Sequence, residues 1–227
     1  MHIEPGVVDG SKIILSYATA VAAFGLAGKM SADSARRDGA RALLARSVIA
    51  TALVFSFFEL LPHYPVGVSE VHLILGSTLF LIFGSGPAAI GLSAGLLIQG
   101  VFFAPFDLPQ YGMNVTTLLV PLYGVSLLAK RIIPESVPYV DLKYRQALAL
   151  STAYQGGIVA WVAFWALYGH GFTAQNLSSI LSFGGAYMLV ILLEPLIDLA
   201  VLAGAKTLRQ LQQSILVQQR VYSASFS

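Results

Sequence analysis

Residues 70–87 read EVHLILGSTLFLIFGSGP, and this stretch decides the fold. From Val71 to Phe83 nearly everything is apolar; His72, Gly76, Ser77 and Thr78 are the interruptions. The run is shorter than the roughly 20 residues that a helix needs to cross a bilayer. Gly84-Ser85-Gly86-Pro87 then closes it with a tight turn. Counted as a crossing it makes the total odd; left out, it makes the total even.

Around it lies a chain of 227 residues, 56% hydrophobic and 11% charged. Soluble domains carry about 25% charged residues, so there is too little polar material here for a water-facing surface. Apolar stretches fall approximately over 12–30, 41–62, 87–105, 112–130, 145–168 and 178–204, and residues 70–85 bring them to seven. The expectation is an all-α polytopic membrane protein. Residues 1–205 form one transmembrane domain with an N-terminal segment, and no separate soluble domain is expected. In the tail, 206–227, Leu208, Leu211, Ile215 and Leu216 stand among glutamines, a spacing that suits an amphipathic helix on the cytoplasmic membrane surface. The first span reads as retained and not as a cleaved signal, because Glu4 and Asp9 precede it and only Lys12 is basic.

Charge resolves the parity. Seven crossings with the N-terminus outside and the C-terminus cytoplasmic put Lys29, Arg36, Arg37, Arg41, Arg46, Lys130, Arg131, Lys143, Arg145, Lys206, Arg209 and Arg220 on or near the inner side. Only Lys12 falls outside. That asymmetry is what the positive-inside rule requires, and an even count would spoil it. The short third span therefore counts, either tilted or sunk in protein. The same topology places His2, His63, His72 and His170 outside, with Glu4, Asp9, Glu70 and Asp107. A cation arriving from that side meets an acidic, histidine-bearing face. The net charge of +2 is too small to argue for nucleic acid.

The chain has no cysteine, so disulfides and thiolate metal sites are excluded. Imidazole, carboxylate, amine and backbone donors remain. The chain opens Met1-His2-Ile3-Glu4-Pro5-Gly6. A free amine on Met1, the backbone nitrogen of His2 and the His2 imidazole can close around one divalent metal as fused chelate rings. One more imidazole, His72, completes a plane of four nitrogens, a geometry suited to Ni(II) or Cu(II), and to Co(II) if the protein imposes it. Pro5-Gly6 favours a turn that folds the terminus back toward the protein. Protonation of these donors should weaken binding between about pH 7 and pH 5. His63 and His170 read as loop residues or relay ligands.

Three other features stand out. Ala18, Ala22, Ala23, Gly25 and Ala27 in the first span, and Gly91 and Gly95 in the fourth, are small residues that let helices approach closely in lipid. They read as packing within the chain, or as a partner-docking face. Glu194 and Asp198 stand one turn apart in the seventh span, either as an inner-edge pair solvated or matched to Arg145 or Lys206, or as a pair with a role in coupling or release. No nucleotide-binding loop occurs, and no Ser/His/Asp constellation or His-Glu-x-x-His motif argues for an enzyme.

The Met1-His2-Ile3 start with Gly6, the Val71-His72-Leu73 segment opening a Gly76-containing span, the Gln99 region, and Gly112-Met113-Asn114 together resemble the cobalt/nickel substrate-capture subunits of energy-coupling factor transporters, the CbiM/NikM family. The likeness runs from residue 1 to about 205. It implies a seven-helix fold, a site made by Met1, His2 and His72, and a supporting role for Asn114. The substrate it implies is Ni2+ or Co2+. The implied partners are a transmembrane coupling subunit and ATPase subunits, with the chain multi-pass in the bacterial plasma (inner) membrane. Two departures are Pro5 where the family has an acidic residue and Thr117 where it has a second asparagine. An accessory membrane subunit that kept the fold and lost transport is the rival reading.

Overall fold

Among the described residues, 3–207 and 215–223 of this computed structural model, seven α-helices follow one another. They are α1 (Ile13–Asp38), α2 (Ala40–Glu59), α3 (Gly76–Phe83), α4 (Ser85–Phe102), α5 (Tyr111–Ile132), α6 (Tyr144–His170) and α7 (Ala174–Thr207). A two-stranded antiparallel hairpin, β1 (Tyr64–Val66) and β2 (Ser69–Val71), stands between α2 and α3. The chain is an all-α polytopic membrane protein, with six helices long and apolar enough to cross a bilayer. α3 is not one of them. At eight residues it rises about 12 Å.

α3 nevertheless completes a crossing. β2 begins beside the N-terminal segment, where Ile3 bridges Ser69. Past α3, Gly84 lies against Gln218 and Arg37, at the end where α1 finishes. The non-helical residues His72–Leu75 cover the first part of the traverse and α3 covers the rest. Non-helical backbone is tolerated at membrane depth only where protein surrounds it. His72, Ile74 and Leu75 are buried here, as are all α3 residues except Ile82. Counting this segment, the chain alternates between a His72 end and an Arg46 end. Arg36 and Arg37 close α1, Lys130 and Arg131 close α5, and Lys143 precedes α6, all at the Arg46 end.

α4 runs through the middle, packed on α1, α2, α3 and α5. A Cβ on Gly91 would stand 2.6 Å from the Ala50 Cβ, and one on Gly95 2.6 Å from Val54 Cγ1. The Gly-x-x-x-Gly pair is therefore spent on close packing of α4 against α2. On α1, Ala23 and Ala27 are buried, whereas Ala18, Ala22 and Gly25 are exposed. Trp165, Tyr154, Tyr187, Phe58 and Phe183 fill the interior, while Leu181, Leu189, Leu192 and Leu193 of α7 face outward as lipid contact demands.

The amphipathic tail helix expected after Lys206 is only partly addressed. Leu208 and Leu211 lie outside the described residues, and Ile215 and Leu216 stand in a turn before a short 3-10 segment, Gln219–Val221. This piece folds back on the bundle. The buried Arg46 guanidinium donates to the carbonyls of Ile215 (2.9 Å) and Val217 (2.7 Å) and pairs with Asp38 (2.5 Å). Gln218 Nε2 donates to the carbonyls of Phe80 and Leu81, and its backbone N–H donates to the carbonyl of Ile82. These carbonyls belong to the last turn of α3, where those of Leu81 and Ile82 have no donor within the helix and that of Phe80 also accepts from the Gly84 N–H. The tail is thus the cap of α3.

Candidate metal centre

The N-terminal segment is docked from Ile3 onward. Ile3, Val7 and Val8 are buried. The Ile3 N–H donates to Asn114 Oδ1 at 2.9 Å, and the Glu4 N–H donates to the Val68 carbonyl at 3.2 Å. The turn expected at Pro5-Gly6 is present: the Val7 N–H returns to the Glu4 carbonyl at 3.1 Å, and Gly6 takes φ +90°, which suits a residue without a Cβ. The end of α6 presses on the segment. A Cβ on Gly169 would stand 1.7 Å from the Val7 carbonyl oxygen, and Lys12 Nζ donates to the Gly169 carbonyl at 2.8 Å.

His72 is buried immediately beyond β2. Its Nε2 lies 2.9 Å from Glu70 Oε2. Phe58 meets the ring edge-on with centroids 5.2 Å apart, and His63 stacks on it at 4.8 Å with an interplanar angle of 16°. A carboxylate on one ring nitrogen holds the orientation of the imidazole, the usual support for a metal-bound histidine. Burial raises the Glu4 carboxyl above the ordinary glutamate range, helped by the charges of Glu70 and Asp107. A divalent cation at this end of the bundle would relieve that repulsion.

Of the expected site residues, Met1 and His2 lie outside the described residues, so the chelate itself is not seen. His72 and Asn114 both stand against the elements that hold Ile3, through β2 and through α5. Asn114 acts on the backbone next to the expected ligands. His63 forms one wall of the His72 site, and His170 lies with Nε2 3.1 Å from the Gly6 carbonyl oxygen, against the docked segment. Glu70 is the partner that sequence reading passed over. It lies in β2 two residues before His72, and extended chain brings side chains at that spacing to one face. Thr117 is buried and returns its hydroxyl to the Met113 carbonyl. Gln99 and Asn114 line one small cavity with Asp107.

Glu194 and Asp198 are corrected. They are not a solvated inner-edge pair; both are buried, facing α3 and α6. Arg145 is exposed and pairs with neither. Ser77, Thr78, Ser151 and Gln155 are their partners.

The fold is that of a multi-pass membrane protein of the transporter kind. It resembles a crystal structure described as a truncated transition metal transporter, at TM-score 0.71 and 18% identity over 91% of this chain and 99% of that one. A second transition metal transporter structure matches at TM-score 0.68 and 19% identity, over 95% and 96%. The family profile described as the cobalt uptake substrate-specific transmembrane region, CbiM, matches residues 2–211; the chain belongs to that family. A search of curated protein sequences finds no match.

Proposed function

We propose that this chain is a membrane receptor that captures Ni2+ or Co2+ for an energy-coupling factor importer. In this reading the Met1 amine, the His2 backbone nitrogen and imidazole, and the His72 imidazole hold the ion. One observation carries it: the backbone directly after the proposed chelate is pinned, through Asn114 and Ser69, to the elements that present the buried His72 and its partner Glu70. The nitrogen-rich donor set suits either metal.

The His72 end is extracytoplasmic and the Arg46 end cytoplasmic in the bacterial inner membrane, by the distribution of basic residues. A transmembrane coupling subunit and ATPase subunits would supply the energy, since binding free energy alone drives no net transport. The test is calorimetry and metal analysis on untagged protein with a native terminus, beside the same protein extended by one N-terminal residue. One tight equivalent in the first and none in the second is expected. Equal binding by both removes the amine from the ligand set and overturns the reading.

A further inference from the structure

Five and six residues past His72 on the same crossing segment, Ser77 and Thr78 meet two carboxylates from α7. Ser77 Oγ lies 3.2 Å from Glu194 Oε1 and 3.0 Å from Asp198 Oδ2. Thr78 Oγ1 donates to Asp198 Oδ1. From α6, Ser151 Oγ lies 3.2 Å from Glu194 Oε2, and Gln155 Nε2 donates to the same oxygen. All six residues are buried. Among the described residues no lysine, arginine or histidine contacts either carboxylate.

Two features leave the cluster's own hydrogen-bond donors short of what the two carboxyls require. Ser77 has a single hydroxyl proton yet stands within bonding range of both carboxyls, so hydroxyls alone cannot satisfy the pair. Among the described residues, two further buried polar groups have no partner: Gln155 Oε1 and the Tyr154 hydroxyl. Tyr154 Oη lies 2.6 Å from where a Cβ on Gly76 would stand, one residue from Ser77. Buried carboxylates must be neutralised by protons or by a cation. For a six-coordinate ion with bonds of about 2.1 Å, neighbouring ligands stand about 3.0 Å apart. The Ser77–Asp198 and Ser77–Glu194 separations match that edge.

The geometry points to a second, internal divalent-cation site, formed by Glu194, Asp198, Ser77, Thr78, Ser151 and Gln155. It is an all-oxygen site. It therefore holds transition metals less tightly than nitrogen donors do, and accepts hard ions such as Mn2+. Its place on the segment that begins at His72 makes it a station that receives the ion after release from the first site. As a station it rests on the capture role proposed above; as a binding site it does not.

The experiment uses the full chain with a native terminus in lipid nanodiscs. Co2+ is titrated by calorimetry and Mn2+ by electron paramagnetic resonance, with wild type, H72A and E194Q/D198N. Wild type is expected to bind two Co2+, the second at least about 100-fold more weakly, as oxygen ligation predicts. H72A should lose the tight equivalent and keep Mn2+ binding. E194Q/D198N should keep the tight equivalent and lose Mn2+. If Mn2+ binding is absent from wild type, or unchanged in E194Q/D198N, the internal site is overturned. If the tight Co2+ equivalent is missing from wild type while Mn2+ binds, the capture reading fails and the internal site stands. Should E194Q/D198N not fold, Ser77→Ala decides: a tenfold or greater loss of Mn2+ affinity supports the site, and no change refutes it.

Discussion

At the scale of single residues, Glu70 sets how well His72 can serve. Its carboxylate holds Nε2 at 2.9 Å, and losing such a partner typically costs 10–100-fold in metal affinity. Glu70→Gln is expected to weaken Co2+ binding within that range by calorimetry, with the thermal midpoint little changed. Gly76 makes a sharper structural prediction. A Cβ there would meet the Tyr154 ring at 2.1–2.2 Å, so Gly76→Ala should cost about 1–3 kcal/mol through overpacking. Tyr154→Ala opens that space, and in the double variant the two losses should be less than additive by thermal unfolding. His72 was legible in the sequence because an imidazole opening an apolar run is costly without a use. Glu70 sat two residues away, but only the fold, with β2 running straight into the non-helical residue His72, shows that the two side chains meet. Ser151 and Gln155 gave no sign, since their meaning depends on α6 facing α7 at that depth.

At the scale of elements, the N-terminal segment is held by tight contacts and not by length. Gly169 lets α6 end directly under Val7. Gly169→Ala should lift the segment, removing hydrogen-exchange protection from Ile3–Val8 and abolishing tight metal binding while the bundle stays folded. Glu4 adds a pH dependence. Its carboxyl is raised in the folded protein, so the docked state takes up a proton that the undocked state does not. Docking without metal is therefore favoured as pH falls through the window above the ordinary glutamate value, and weakened as pH rises through it. Glu4→Gln should make the protection of Ile3–Val8 in metal-free protein flat across that window. The long helices were legible from their apolar length. The docking of residues 215–223 was not: Arg46 donates to the carbonyls of Ile215 and Val217, and Gln218 donates to those of Phe80 and Leu81, contacts that sequence periodicity does not encode.

At the scale of the whole molecule, residues 70–87 mattered because they fix which loops share a face. Composition and basic residues asked for an odd number of crossings, and the bundle meets that demand with six long helices and one broken traverse. How the seventh crossing is built could not be read, because a run too short for a helix gives no indication of extended chain preceding it. The absence of cysteine makes the topology directly testable. Ser11→Cys in intact cells should react with a membrane-impermeant maleimide, and Ser136→Cys should react only after lysis. The reverse pattern would invert the orientation. The broken traverse also has an electrical consequence. α3 begins partway through the bundle and finishes at the Arg46 end, so its amide dipoles line up along the line between the two faces. The partial positive pole lies toward His72 and the partial negative pole toward the far side. An ion moving from His72 along α3 would therefore descend a built-in potential gradient, on the order of 0.3–1 kcal/mol for a unit charge near such an end. A continuous helix reaching from face to face would keep both poles at the surfaces and offer no such slope within.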